Sequence, residues 1–230
     1  MINPPLPDRR IHHAQRAGAG TKNRLSGADW EAAWAPYDEP TYRAALAFIQ
    51  ADDVILDIGA GDLRFARRAA AQARAVIAIE RRAGLLEDGR EAGRRKACSY
   101  NANLVVICGD ALSTPFPIGV TVGVLLMRHC RHFREYAQKL QAAGCRRLIT
   151  NARWGFGVEQ VTLGPHPAYD VAAPGWYACQ CGAVGFKPCR PEALTTAALA
   201  RTTEVSRCPA CDREPASELA SKRPLLKFEV

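Results

Sequence analysis

The feature that most constrains this chain is the order of patterns over residues 54–80. Residues 54–58 form a short, nearly continuous apolar run, which is typical of a parallel strand covered on both faces. Gly59 and Gly61 follow at Gly-x-Gly spacing, and such a pair lets the backbone turn tightly and approach a ligand that a Cβ would exclude. The stretch therefore begins as a strand that leads into a ligand-binding turn.

A helix and a second strand continue the pattern. Apolar residues recur at helical spacing over residues 63–73, and residues 76–80 form another apolar run that ends in Glu80. An acid at the tip of the second strand, about 20 residues past the glycines, is placed to accept hydrogen bonds from both hydroxyls of a ribose. The order predicts a βαβ unit that binds a nucleoside cofactor in an α/β fold.

Two classes of nucleoside cofactor fit this unit. A dinucleotide site normally has a third glycine where the pyrophosphate meets the helix N-terminus, and Arg64 occupies that position. Asp57 ends the first strand beside the glycines, where a carboxylate would repel a pyrophosphate but could hold an amino group. The sequence favours a cofactor with an amino group; a dinucleotide and a ligand-free turn remain the alternatives.

The Asp-x-Gly-x-Gly turn resembles the first motif of class I S-adenosylmethionine-dependent methyltransferases. A third apolar run, residues 104–108, is followed by Gly-Asp-Ala, where that family reads the adenine. The resemblance implies a Rossmann-like, doubly wound, mostly parallel sheet with S-adenosyl-L-methionine as cofactor. In order along the methionine, ribose and adenine, it implies these cofactor-binding residues: Asp57, Gly59, Gly61, Glu80, Asp110 and Ala111.

In this family the exit of the fourth strand, predicted here over residues 120–127, faces the transferable methyl group. The first three motifs resemble the ribosomal RNA adenine methyltransferases, but the exit lacks the Asn/Asp-Pro-Pro-aromatic and Asn-Leu-Pro-Tyr motifs of amino methylases. His129 is the candidate catalytic base or substrate-positioning group, since an imidazole takes up a proton near neutral pH. His132, a nucleophilic Cys130 and a merely buried His129 are the alternatives.

Four of the nine cysteines form two close pairs. The pairs are Cys179 with Cys181 and Cys208 with Cys211. Two such knuckles can direct four thiolates to one ion, and a closed tetrahedral sulfur site suits structural Zn²⁺ without catalysis. The pairing resembles a zinc ribbon, with a hairpin predicted over residues 176–181 and 183–188. Cys189 as a ligand in place of Cys179, and unrelated reduced cysteines, are the alternatives.

The chain is expected to have four parts. These are a basic flexible arm (residues 1–28), a methyltransferase core (29–163), a zinc-ribbon-like insertion (164–215) and a terminal strand (216–230) that returns to the core sheet. A helix over residues 40–49 precedes the first strand, and the strand over residues 158–163 is expected to form an antiparallel pair with residues 225–230. The 230 residues, 48% hydrophobic, suffice for one α/β domain with such an appendage.

The charge of the chain leads to a prediction about its binding partner. The net charge of +8 favours an anionic partner, and RNA is the leading one. Three arginines, Arg128, Arg131 and Arg134, recur at a spacing that predicts a cationic face on the helix after the fourth strand. No apolar run reaches the roughly 20 residues of a membrane helix, so we expect a cytoplasmic protein. The rivals are a small-molecule or protein methyltransferase and a non-catalytic cofactor-binding adaptor.

Overall fold

The computed structural model describes residues 37–86, 98–128, 130–153, 155, 157–170, 172 and 174–213. The chain divides into two compact units, Met1–Ala35 and Pro36–Val230, and the described residues all belong to the second. Three predictions lie outside them: the basic arm over residues 1–28, the candidate base His129 and the terminal strand over residues 216–230.

The described residues form helices and two sheets. The helices are α1 (Glu39–Leu46), α2 (Arg64–Ala70), α3 (Phe133–Ala142), α4 (Thr196–Ala200) and α5 (Pro209–Arg213), with 3₁₀ turns at Ala83–Leu85 and Pro191–Ala193. The strands are β1 (Val54–Ile58), β2 (Ala75–Glu80), β3 (Cys98–Asn101), β4 (Leu104–Cys108), β5 (Val122–Leu125), β6 (Arg147–Thr150), β7 (Glu159–Thr162), β8 (Gly175–Cys179), β9 (Val184–Lys187) and β10 (Thr202–Val205).

The larger sheet has the strand order β3-β4-β2-β1-β5-β6-β7. Its five central strands run parallel, and the edge strands β3 and β7 are antiparallel to their neighbours. Because these five strands are parallel, the carboxyl ends of β1, β2, β4, β5 and β6 meet at one edge of the sheet. The strand order reverses at β1. The predicted doubly wound, mostly parallel sheet is confirmed, and this edge is where such folds bind ligands.

Each face of the sheet is covered by helices, which explains the continuous apolar runs. In β1, Ile55 packs into the core that includes residues of α1 and α2, whereas Leu56 and Ile58 pack into the core beneath α3. Helix α3 lies very close to β5, because a Cβ on Gly123 would lie 2.5 Å from a methyl carbon of Leu140. These packed layers fix the β5 exit relative to the β1 turn.

Several element bounds differ from the predictions. The helix predicted over residues 63–73 is shorter, because Leu63 has φ of +63° and the helical backbone starts only after it. The helix predicted over residues 40–49 ends at Leu46. The strand predicted over residues 120–127 is shortened at both ends in β5, while β4 matches its prediction.

The predicted cationic face on the helix after β5 is wrong. The backbone N–H of Cys130 donates to the carbonyl of Met127 in a turn, and α3 begins only at Phe133. Arg128 and Arg131 therefore precede the helix, and Arg134 lies on it. Arg128 contacts Tyr37 and Arg134 contacts Cys211, so these two arginines have different neighbours.

The smaller sheet has the order β10-β8-β9. Strands β8 and β9 form the predicted antiparallel hairpin, and β10 pairs parallel to β8. The strand predicted over residues 158–163 is present as β7 and pairs antiparallel with β6. Among the described residues, no helix has both the length and the apolar character that crossing a bilayer requires.

Candidate cofactor and metal sites

The turn after β1 is shaped by its two glycines. Gly59 and Gly61 have φ of +72° and +58°, a region that other residues rarely adopt. The backbone N–H groups of Gly59 and Ala60 both donate to the carbonyl of Ile79, at 2.9 and 3.0 Å. A Cβ on Gly59 would lie 2.7 Å from the terminal methyl of Met127, so the turn lies directly against the β5 exit.

Glu80 holds this turn in place. Its side chain is buried, Oε2 accepts from the Gly61 N–H at 2.8 Å, and Oε1 accepts from the Arg82 N–H at 2.8 Å. A carboxylate has about four acceptor sites, so two hydrogen bonds leave capacity for more. The geometry suits the predicted role at a ribose, and it adds a second role, because the same carboxylate fixes the glycine loop.

Asp57 is a buried acid at this edge with an unsatisfied oxygen atom. It is 3% exposed, and its Oδ2 atom has no hydrogen-bond partner among the described residues. Burial, and secondly the charge of Glu80, raise the pKa of Asp57 to about 7. A buried carboxylate without a partner is costly, and a cationic amino group would supply the missing contact.

Asp110 lies beside Glu80 through strand register. Glu80 pairs with Cys108, and the Gly109 N–H donates to the Glu80 carbonyl at 2.9 Å. The exposed Asp110 accepts the Leu112 N–H at 2.9 Å through Oδ1, which shapes the following turn. Asp57, Glu80 and Asp110 thus lie at the ends of three adjacent strands, whereas Ala111 is 6% exposed and packs into the core.

Lys139 of α3 stabilises the loop after Asp110. Its ammonium donates to the carbonyls of Leu112 and Thr114 at 2.8 Å each and lies 4.3 Å from the centre of the Phe116 ring. Burial lowers the pKa of Lys139. The sequence did not reveal this contact, because a lysine on a helix 25 residues downstream of Thr114 has no local signature.

The β5 exit contacts Tyr37, which precedes helix α1. Tyr37 accepts a hydrogen bond from the Arg128 N–H at 2.9 Å, and the Arg128 guanidinium lies 5.4 Å from the centre of the Tyr37 ring. Cys130, an alternative nucleophile, is partly buried, and His132 Nδ1 lies 3.6 Å from a carboxylate oxygen of Glu135. The candidate base His129 itself lies outside the described residues.

The four cysteines of the two predicted pairs come together. They are Cys179, Cys181, Cys208 and Cys211, and their sulfur atoms all lie within 4.8 Å of one another. Three of the Sγ–Sγ distances are 3.7, 3.8 and 3.9 Å. A zinc–sulfur bond of about 2.3 Å gives a tetrahedral edge of about 3.8 Å. The predicted grouping is confirmed, it fits one tetrahedral ion, and Cys189 does not belong to it.

The surroundings of the cluster favour a thiolate at one of the four cysteines. Arg134 donates to Cys211 Sγ at 3.1 Å. A hydrogen bond from Cys179, and to a smaller extent one from Arg134, lowers the pKa of Cys181 to about 4, whereas the hydrogen bond with Cys181 and burial raise the pKa of Cys179, and burial raises the pKa of Cys208. Thiolate is the form that a metal ion binds.

Two contacts join the smaller sheet, which carries the cysteines, to the layer of the larger sheet. A Cβ on Gly182 would lie 3.1 Å from the Cβ of Phe133, at the start of α3. Arg153, which is 3% exposed, forms ion pairs with Glu159 at 2.6 Å and with Glu204 at 2.7 Å. Sequence reasoning missed Arg153, since neither acid is related to it by a motif.

A cleft of about 260 Å³ opens beside the β5 exit. Its lining residues are Asp38, Pro40, Thr41, Ala44, Arg128, Asn151, Gly157 and Val158. Asn151, directly after β6, is 5% exposed. A polar residue that follows an apolar strand at the ligand-binding edge was the available signal in the sequence.

Neither a protein-family model nor a curated protein sequence matches the chain. Several solved structures match part of the chain. An RNA methyltransferase from Salinibacter ruber in complex with S-adenosyl-L-homocysteine is 21% identical, with 59% of this chain and 98% of that one covered and a TM-score of 0.42. A dimethyladenosine transferase from Plasmodium falciparum is 19% identical, with 49% and 41% covered and a TM-score of 0.39.

A third similar structure, precorrin-6y C5,15-methyltransferase from Geobacter metallireducens GS-15, is 16% identical, with 58% of this chain and 67% of that one covered and a TM-score of 0.39. The chain thus spans less than half the length of the Plasmodium enzyme. Likenesses of this size concern the backbone fold.

Proposed function

We propose that this protein is an S-adenosyl-L-methionine-dependent methyltransferase that acts on RNA. The observation that carries the proposal is the buried, unpartnered Asp57 beside a glycine turn and the anchored Glu80. A carboxylate that lacks a cation and another that retains acceptor sites match the amino group and ribose of that cofactor. A pyrophosphate would meet like charge at the same place.

The cofactor-binding residues keep their predicted roles in this proposal. Asp57 holds the amino group, the turn with Gly59 and Gly61 encloses the methionine part, and Glu80 binds the ribose. Asp110 and Ala111 border the adenine, on a loop that Lys139 keeps rigid. The bound cofactor supplies an electrophilic methyl group, so the protein's task is to exclude water and align the acceptor atom.

His129 is proposed as the catalytic residue. The support for this role comes from its sequence neighbours, since Met127 lies against the glycine turn and Arg128 lines the cleft. A neutral imidazole at this place would accept the proton that the acceptor atom loses.

We propose structural Zn²⁺ at Cys179, Cys181, Cys208 and Cys211, on the basis of sulfur separations that match a tetrahedral edge. Four thiolates leave no open coordination position, so the ion takes no part in methyl transfer. Its role is to stabilise a three-stranded sheet whose buried apolar cluster is small.

RNA as the substrate is supported by charge. The chain carries a net charge of +8, and Arg131 is exposed after the β5 exit, where a phosphate could be bound. Methylation of a small molecule or a protein, and a non-catalytic adaptor, are the rival functions.

The test is incubation with tritiated S-adenosyl-L-methionine and fractionated cell extract. Label in the RNA fraction, lost in His129→Ala and retained in His132→Ala, is the expected result. Label only in the low-molecular-weight or protein fraction would overturn the RNA substrate. Cofactor binding without label in any fraction would favour the adaptor.

A further inference from the structure

The amide of Asn151 is unpaired. Both its Nδ2 and Oδ1 atoms are buried and have no hydrogen-bond partner among the described residues. A folded protein rarely leaves a buried amide in this state, because the hydrogen bonds to water are lost and not replaced. By contrast, Asn103 donates its amide to the carbonyls of Ala70 and Ala73, at 2.8 and 3.1 Å.

Strand register places Asn151 near the cofactor turn. Asp57 pairs with Val124, and Leu125 pairs with Thr150, so Asn151 is level with Gly59 at a distance of two strand spacings. With about 4.8 Å between strands, the separation is about 10 Å. A group bound beside Asn151 would therefore lie next to the edge at which the cofactor is proposed to bind.

The charged side chains that line the cleft beside Asn151 have opposite signs. The Arg128 guanidinium lies over Tyr37, and Asp38 faces the same cleft. Hydrogen bonds from Thr41, and to a smaller extent the charge of Arg128, lower the pKa of Asp38. The carboxylate and the guanidinium offset each other, which favours a neutral polar group over a lone anion.

The lining also has an apolar part that the face of a ring could contact. Pro40, Ala44 and Val158 supply apolar contacts, and the cleft of about 260 Å³ is smaller than the roughly 300–1,000 Å³ of sites for drug-sized ligands. A single nucleobase is a ligand of this smaller class.

We propose that this cleft is the acceptor subsite and that Asn151 is its specificity-determining residue, which reads the hydrogen-bonding edge of a nucleobase. This inference rests on the proposed methyltransferase function. An amide presents an N–H donor and a carbonyl acceptor side by side, and rotation about its last torsion brings them to the cleft in either order. A nucleobase offers the complementary donor and acceptor. Free nucleosides and unpaired bases of an RNA strand share this chemistry.

The first measurement separates a recognition role from a structural one. Asn151→Leu removes an unsatisfied amide, so we expect a denaturation midpoint equal to or above that of the wild type. Asn103→Ala, the matched control, removes two hydrogen bonds and lowers the midpoint. A loss of stability in Asn151→Leu as large as that in Asn103→Ala would show a structural role and overturn the inference.

The second measurement is binding of fluorescent single-stranded hexanucleotides to protein saturated with S-adenosyl-L-homocysteine, which keeps bases out of the cofactor pocket. Asn151→Leu is expected to weaken binding roughly tenfold or more. Asn151→Asp presents acceptors only, so preference should move toward guanine, which has two adjacent donors. Unchanged affinity in Asn151→Leu together with unchanged base preference in Asn151→Asp would overturn the inference.

Two further arms locate the source of the base and separate the two proposals. If cytidine and guanosine respond to the variants as the hexanucleotides do, the site takes free nucleosides; if only the hexanucleotides bind, it takes a base in a strand.

Cytidine oligomers are also titrated without cofactor. A wild type that binds these oligomers through Asn151 but not S-adenosyl-L-homocysteine would refute the methyltransferase proposal and keep the subsite.

Discussion

Arg153 and Glu204 are joined by two hydrogen-bonded ion contacts, Nη1 to Oε2 at 2.7 Å and Nη2 to Oε1 at 2.8 Å. The same guanidinium binds Glu159 through Nε and Nη2 at 2.6 Å each. Glu159 belongs to β7 and Glu204 to β10, so one buried side chain connects the two sheets. The cysteine cluster and the β6–β7 loop, which borders the cleft, therefore share a support.

Arg153→Ala should lower the free energy of unfolding by about 3 kcal/mol, because removal of one partner leaves two partly buried carboxylates without their cation. The measurement is urea denaturation at pH 7. Arg201→Ala, an exposed arginine at the start of β10, is the matched control and should change the value by less than about 0.5 kcal/mol. Equal effects of the two substitutions would contradict the connecting role of Arg153.

Metal content gives a second prediction. Purified protein should contain about one zinc ion per chain, and Cys208→Ser should lose it, since three thiolates no longer complete the tetrahedron. Elemental analysis and thermal denaturation are the measurements, and both metal and thermal stability should fall together. Cys189→Ser lies outside the cluster and should keep both; a Cys208→Ser protein with full zinc would refute this ligand set.

Asp57 predicts a pH dependence of stability. Its pKa is about 7 in the folded protein and about 3.9 in an unfolded chain. The folded state holds the proton more tightly, so this contribution to stability is fully present below about pH 4 and is lost as pH rises through about 7. At about 1.36 kcal/mol per unit, the loss is about 4 kcal/mol.

Asp57→Asn removes that loss, because an amide does not ionise. The variant should be more stable than the wild type at pH 8, with a difference that shrinks toward pH 5, as measured by urea denaturation at both values. Asp52→Asn, at an exposed position, is the control and should follow the wild type. Parallel stability curves for Asp57→Asn and wild type would show that burial of Asp57 costs nothing.

Proton release on cofactor binding is a fourth prediction. The amino group of S-adenosyl-L-homocysteine would favour the charged form of Asp57, so binding at pH 6 should release up to about one proton per chain. Calorimetric titrations in buffers of different ionisation enthalpy measure this number. Asp57→Asn should bind more weakly and release none; identical proton release in the variant would assign the proton to another group.

The glycine turn and its acids could be predicted because each lies at the end of an apolar strand. Parallel pairing then brings Asp57, Glu80 and Asp110 to one edge without further information. The cysteine cluster could also be predicted from the sequence, because two close pairs of cysteines suffice to define four ligands.

Contacts between distant residues could not be predicted in this way. Arg153 meets Glu204 across 51 residues, and Lys139 meets Thr114 across 25, with no periodicity or motif linking them. The prediction of a cationic face was wrong for a related reason. The helical spacing of the arginines does not reveal that a turn at Cys130 precedes the helix, which begins only at Phe133. The role of Asn151 could not be predicted either, because the missing partner of its amide is a property of the folded chain.

The most direct test of the account is calorimetric titration of the purified protein with S-adenosyl-L-homocysteine. We expect one site per chain in the wild type. Affinity should fall roughly tenfold or more in Glu80→Ala, since the carboxylate that anchors Gly61 and accepts from the ribose is lost, and it should be unchanged in Glu192→Ala at an exposed position. A wild type that binds no S-adenosyl-L-homocysteine, or that binds a nicotinamide dinucleotide in its place, would contradict the account.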